Sequence, residues 1–275
     1  MQKFETPAPI SATVDIVFGD IRFAAGDRAD TTVEIRPADA SQSLDVAAAD
    51  QVTVAFTDGK LVVRHPKLPL VFTTKFGAVE VLVRLPAGSD VRGGTSRGDH
   101  VVEGAVGSCR LDTPAGDIRV ERAAEARLKT SGGAVIVDHV TGSVEVTGNK
   151  DIRLGRVGGD AVVHNTGRDV WIGEVAGDLR VTAANGDITV EAARSGVQAR
   201  TANGGIRVGE LGGPADLSAA TGKVEVGVPG GLAVARDART SAGRVRNELA
   251  GAEAAGRTVP VRVRSHGGDI VVRHA

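Results

Sequence analysis

Tyrosine is absent from this 275-residue chain, aromatic residues make up 3% of it, and cysteine, methionine and tryptophan occur once each. With so few rings, a core has to be assembled in thin layers of Val, Ile, Leu and Ala, for which a hydrophobic content of 41% suffices. The lone Cys109 excludes an internal disulfide framework and fits a reducing compartment. No run approaches the roughly 18 apolar residues of a membrane helix. The opening MQKFETPAPISATVDI has no apolar h-region before its prolines and Asp15. No signal peptide is therefore expected, and the expected location is cytoplasmic, with secretion by another route left open. A formal net charge of -1 leaves no nucleic-acid footprint and no polybasic membrane patch at the level of composition.

Glycine is plentiful, 37 residues, but Val-rich segments separate the glycines, which argues against a disordered chain. The motif Gly-Asp-Ile-x-Val recurs on a ruler. Taking the residue after the glycine as landmark gives Asp99, Asp117, Ala134, Asp151, Asp169, Asp187, Gly205, Lys223, Arg244 and Asp269. Steps are 17 or 18 residues as far as Lys223, then 21 and 25. Eight of the ten preceding residues are glycine, the exceptions being Lys150 and Arg168. Apolar residues stand one and three positions after the landmark, as in Ile188 and Val190, with polar ones between: a strand with one buried face.

A small apolar residue recurs six positions past the landmark, for example Ala105, Ala123 and Val175. A second inward pair precedes the landmark: Cys109 and Leu111, Ala126 and Leu128, Leu179 and Val181, with Val144 and Val146 one residue out of step. Each coil then reads strand, corner, strand, Gly-Asp turn. Threonine three residues before the glycine, as at Thr113, Thr130, Thr147 and Thr201, suits a hydroxyl ladder at the strand end. The predicted fold is all-β: a single-stranded parallel β-solenoid (β-helix) of ~18-residue coils. The crossover rule makes it right-handed.

Residues 1–88 are less regular. Ala12-Val14-Ile16, Ile21-Phe23, Val33-Ile35, Val52-Val54-Phe56, Leu61-Val63 and Val79-Val81-Val83 alternate as strands, and Gly19-Asp20-Ile21 echoes the motif. The reading is a β-rich N-terminal region, 1–88, capping a solenoid, 89–275, in one continuous elongated domain. Glu248 to Thr258 is an Ala-rich excursion before the last coil, where Arg262, Arg264 and Arg273 discourage end-to-end strand pairing.

The segment VLVRLPAGSDVRGGTSRGDHVVEG, with TPAGDIRVE and TAANGDITVE further on, resembles a bacterial family of β-strand-repeat domains of unknown function labelled "putative adhesin". The opening residues are similar to its actinobacterial members. The resemblance covers nearly the whole chain and implies a β-solenoid. Its motifs are structural and carry no catalytic or binding residues across.

Asp151, Asp169 and Asp187 fall on three consecutive coils. Carboxylates stacked at ~5 Å repel, so each must accept turn N–H groups, splay into water or share a cation. Because Ala134, Gly205, Lys223 and Arg244 interrupt the column, turn capping is the expected role. No metal and no cofactor are expected; these three aspartates are where a cation would sit if one were held. A rung-to-rung carboxylate pair also matches the spacing of a retaining glycosidase, but no cleft or inserted catalytic loop accompanies it. Cys109 occupies an inward column and reads as core; the six histidines share no column. Trp171 projects outward between Val170 and Ile172, with Arg153 and Arg207 on that face and Arg119 further along. An aromatic ring among arginines suits a sugar or an acidic partner.

No triad, phosphate loop or dinucleotide motif is present, so no enzymatic activity is expected. The expected function is a non-enzymatic β-solenoid scaffold or binding protein, meeting a protein or polysaccharide along a lateral face. The alternatives are a polysaccharide-binding or polysaccharide-active β-helix and a scaffold that self-associates through the solenoid ends.

Overall fold

The structure, a computed structural model, describes residues 1–66, 76–230, 232–249 and 258–275. Most of the Ala-rich excursion, residues 250–257, lies outside the described residues. The chain divides into two compact units, Met1–Val137 and Asp138–Ala275. Both are parallel β-solenoid in construction, as the repeat predicts.

In the first unit the strands are β1 (Gln2–Glu5), β2 (Ser11–Asp15), β3 (Gly19–Gly26) and β4 (Asp30–Pro37), followed by helix α1 (Ser43–Gln51). Then come β5 (Thr53–Thr57), β6 (Lys60–Arg64), β7 (Val79–Pro86), β8 (Asp90–Gly94), β9 (His100–Thr113) and β10 (Ile118–Thr130). Helix α1 was not foreseen. It buries no residue, so its alanines carry no apolar stripe by which to recognise it. Its Asp45 accepts the backbone N–H of Ala78 at 2.9 Å, which ties it to the start of β7.

Rung order does not follow chain order at this end. β2 pairs in parallel with both β6 and β8, and β3 with both β7 and β9. The first-made coil is therefore the second rung, and β6 and β7 are laid outside it. β5 runs antiparallel to β6, and β4 antiparallel to β7 and to β1, so the outermost parallel rung is covered. One extra residue, at Glu103–Gly104, bulges β9 against β10. The bulge moves the corner by one: Val106, rather than the expected Ala105, is buried and pairs with Ala123.

His100 takes an inward slot between Ile21 and Ile118, fully buried, with neither ring nitrogen hydrogen-bonded. Burial pushes its pKa down from 6.5 to about 4. The unfolded chain takes up this proton near pH 6.5 and the native one only near 4. Stability is thus complete above pH 6.5 and falls as the pH drops towards 4, by about 3 kcal/mol over the window. His100→Leu is expected to remove that share of the acid loss and to raise the urea midpoint at neutral pH. Urea titrations of both proteins at pH 7.5 and 4.5 check this; parallel losses would refute it.

Strand β11 (Val135–Val140) spans the division. The second unit continues with β12 (Val144–Gly148), β13 (Ile152–Val157), β14 (Ala161–Asn165), β15 (Val170–Val175), β16 (Leu179–Asn185), β17 (Ile188–Ala193), β18 (Val197–Asn203) and β19 (Ile206–Leu211). It ends with β20 (Ala215–Thr221), β21 (Val224–Val228), β22 (Ala233–Thr240), β23 (Val245–Asn247), β24 (Thr258–Gly267) and β25 (Ile270–His274). Two parallel stacks result, β12–β14–β16–β18–β20–β24–β22 and β13–β15–β17–β19–β21–β25–β23.

Here too chain order and rung order part. The last-made coil, β24 and β25, is slotted between β20/β21 and β22/β23. That is why the steps of 21 and 25 residues break the ruler. It also corrects the expected end: Arg262, Arg264 and Arg273 belong to the penultimate rung. The outermost one carries Arg239, Arg244 and Arg246, and Arg262 and Arg264 turn towards its Asp237 at 3.8 and 3.7 Å.

The turns explain the repeat. Asp20 Oδ1 accepts the N–H of Asp99, Asp99 that of Asp117, and Asp117 that of Ala134, each at 2.8 Å. In the second unit Asp169 receives Asp187 N–H at 2.8 Å, Asp187 receives Gly205 N–H at 2.7 Å, and Asp269 receives Arg244 N–H at 2.8 Å. A carboxylate at the landmark therefore satisfies the next rung's amide, and the receiving residue need not be acidic. The glycine before it has no room for a side chain. At Gly116 a Cβ would stand 1.9 Å from the carbonyl oxygen of Gly98 on the preceding rung.

The threonine hydroxyls do not pair with one another, as a ladder implied. Thr113 donates to Gly98 O (3.0 Å), Thr130 to Gly116 O (2.9 Å) and Thr240 to Gly268 O (2.9 Å). Thr147 is not in this row; Gly148 is, paired with Asn165. Where Lys150 and Arg168 interrupt the glycine column, buried Asn165 donates to both of their carbonyls, at 3.0 and 2.6 Å.

Candidate functional site

With the inward residues consumed by the core and the turn residues by the rungs, what remains for binding is the outward rows. Of the residues singled out in the sequence, the second unit brings three onto one row. Arg153, Trp171, Thr189 and Arg207 are successive register partners, and the row runs on through Glu225, Val271 and Arg246. The Arg153 guanidinium lies over the indole, 5.2 Å from its centroid. Trp171 Nε1 donates to Glu191 Oε1 at 3.1 Å. A Cβ at Gly173 would approach Trp171 Cη2 to 3.1 Å, so the ring leans over a position kept free of side chain. The result is a half-buried indole held between a cation and a carboxylate. At the far end Glu225 is clamped by Lys223 and Arg273, both at 2.8 Å, which together hold its carboxyl down at about 2. Arg119 belongs to the first unit, where its row partner is Val101.

Two of the three aspartates where a cation would sit are engaged in the turns, the role expected of them. One oxygen of Asp169 and one of Asp187 each accept a backbone amide, as above, and Asp151 is exposed. Among the described residues no three His, Cys, Asp or Glu side chains gather as a metal site would require. Cys109 is buried between Val91 and Ala126, and burial lifts its thiol to about 12. Among the described residues, every carboxyl with a displaced pKa, Asp30, Glu34, Asp39, Asp178 and Glu225, is displaced downward.

Two grooves escaped the sequence reading. One, about 710 Å³, follows the entry of the second-unit strands, along the row Val162–Arg180–Gln198–Asp216–Arg262–Asp237. Its other wall holds Asp160 and Asp178, which are engaged in a second turn relay. Asp160 accepts Asp178 N–H (2.8 Å), and Asp178 accepts Ser195 Oγ–H (2.6 Å) and Gly196 N–H (3.0 Å), which lowers its pKa. The other groove, about 470 Å³, lies on the first unit across β2, β8, β9 and β10 and is strongly basic. Both rows could have been read by taking the residue between each inward pair, such as Arg110 between Cys109 and Leu111.

One family model, described as Toastrack DUF4097, matches residues 13–273. The chain belongs to the Toastrack DUF4097 family. No curated protein matches it. Solved structures similar to this Toastrack chain include a "putative adhesin" from Bacteroides fragilis NCTC 9343. That protein is 11% identical, with coverage of 98% of this chain and 95% of the other and a TM-score of 0.32. A "putative adhesin" from Parabacteroides distasonis ATCC 8503 is 12% identical (98% and 95% covered, TM-score 0.37). A "putative lipid binding protein" from the same strain is 9% identical (99% and 96% covered, TM-score 0.40).

Proposed function

We propose that the chain is a non-enzymatic binding scaffold that holds an extended ligand, of polysaccharide class, across the rungs of its second unit. The observation that carries this is the Arg153–Trp171 stack on an outward row of register-aligned polar residues. A half-buried indole supplies an apolar face for a sugar ring, while Thr189 and Arg207 follow at the ~4.8 Å rung spacing with hydrogen-bond donors. A chain of sugars laid across strands meets one side chain per rung. Asp178 at the groove and Glu225 on the row are held below the usual carboxyl range by their hydrogen bonds, the opposite of what a glycosidase acid needs.

The test is affinity electrophoresis through gels containing neutral polysaccharides. Trp171→Ala with Arg207→Ala is expected to abolish the retardation shown by the native chain, a loss of roughly tenfold or more in affinity. Both substitutions lie on the outward row, so the melting temperature should move by only a few degrees. Equal retardation of native and variant protein would sink the proposal.

A further inference from the structure

The basic groove of the first unit is built by the same register that builds the core. Thr13, Arg92 and Arg110 are successive partners on β2, β8 and β9, and Arg127 continues the row on β10. The row two residues on reads Asp15, Gly94, Asp112 and Lys129, with Arg64 beside Asp15. Gly94 leaves a gap in that second row, directly beside Arg92. Five cations and two carboxylates, Asp15 and Asp112, line the 470 Å³, an excess of three positive charges (5 − 2) in a chain whose net charge is -1. Arg92, Arg110, Lys129 and Arg64 are all exposed. Among the described residues, no carboxylate is ion-paired with any of these four. Elsewhere on the same unit an exposed arginine does find an acid, as Arg22 finds Glu103.

Like charges stacked at ~4.8 Å on successive strands repel one another. Arg92 and Arg110, adjacent in the row and without a paired carboxylate among the described residues, are held ready for an anion. We propose that this groove binds an acidic polysaccharide, a polyuronate, running across the strands with its carboxylates on Arg92 and Arg110. Charge and donor geometry favour this occupant. One carboxylate per sugar ring gives a line of anions, and each guanidinium offers such a carboxylate a planar fork of donors. The phosphates of a duplex nucleic acid carry one charge per ~1.7 Å of axis, more densely than the rungs.

The probe is polygalacturonate, in low-salt affinity electrophoresis and in solution titration against the full chain. Binding is expected, weakening steeply with salt. Arg92→Ala with Arg110→Ala should reduce affinity roughly tenfold or more and flatten the salt dependence. Both side chains are exposed, so the melting temperature serves as the folding control. Arg180→Ala, on the second unit, should leave polygalacturonate binding unchanged, as should Trp171→Ala; failure of the neutral-glycan proposal is therefore separable from failure of this one. The inference is overturned if the native chain ignores polygalacturonate, if the double variant binds it equally, or if single-stranded DNA or anionic phosphatidylglycerol vesicles bind through Arg92 and Arg110 while polygalacturonate does not.

Discussion

Ile188→Asp is expected to abolish cooperative unfolding of the second unit. Ile188 is fully buried on β17, with Val170 and Ile206 as its partners on the rungs either side. Truncating a buried Ile costs ~2–5 kcal/mol, and a carboxyl forced into the slot adds a desolvation penalty of several more or must stay protonated. Against a domain stability of ~5–15 kcal/mol that sum is decisive. The adjacent Thr189, half-buried on the outward row, provides the contrast: Thr189→Asp should lower the melting temperature by a few degrees at most. Circular dichroism melts of the two variants check the register at a resolution of one residue. A native-like melt for Ile188→Asp would place it on the wrong face.

Gly186→Val tests the turn rather than the core. Gly186 has φ +89°, and a Cβ there would stand 2.4 Å from the carbonyl carbon and oxygen of Arg168. A β-branched side chain meets both obstacles at once, an unfavourable dihedral and a backbone in the way, and neither relaxes without opening the rung. Because each coil touches only its neighbours, a rung forced open mid-stack interrupts the sheet on both sides. The expected effect is loss of the second unit's folding transition, or a fall of more than ~4 kcal/mol in its stability. Gly26→Ala is the control. Nothing lies within 4 Å of a Cβ at Gly26, and the change should be within about 1 kcal/mol. Equal tolerance of both would mean that the glycine column reflects composition rather than crowding.

How much of this was legible in the sequence depends on whether the relevant force acts locally. The inward columns and the Gly-Asp turns recur because each rung makes the same demand on the same position, and alternation at Ile188 and Val190 is enough to assign a face. Val144 and Val146, one residue out of step, still pack inward and pair with Ala161 and Val163. The slips that misled are of one residue: the bulge at Gly104 that exchanges Ala105 for Val106, and the row that passes through Gly148 instead of Thr147.

Rung order was not legible. A ruler along the chain reports distance in sequence, whereas insertion of β24/β25 between existing rungs is decided by which backbone edges meet. Helix α1 left no trace because none of its side chains is buried. The Arg153–Trp171 stack followed from the register, but Glu191 did not, since it lies one rung on and two residues along from Trp171's row. The basic groove was written in the columns all along, as the arginines between Val91 and Gly93 and between Cys109 and Leu111. A net charge summed over the whole chain conceals it.

The central claim is that each unit is a stack whose register, including the inserted last coil of the second, is set by backbone pairing rather than chain order. Engineered cysteine pairs measure it directly. Arg239 and Arg264 are register partners on neighbouring parallel strands, both exposed, while Ser218 pairs with Arg264 from the other side. Cα atoms so paired lie within disulfide reach, and positions two rungs apart do not. The buried Cys109 thiol, with its pKa near 12, stays out of the exchange. Under mild oxidation, Arg239→Cys with Arg264→Cys should cross-link nearly completely and Ser218→Cys with Arg239→Cys should not. The reverse pattern, with 218 joined to 239, would show the coils stacked in chain order and would contradict the account.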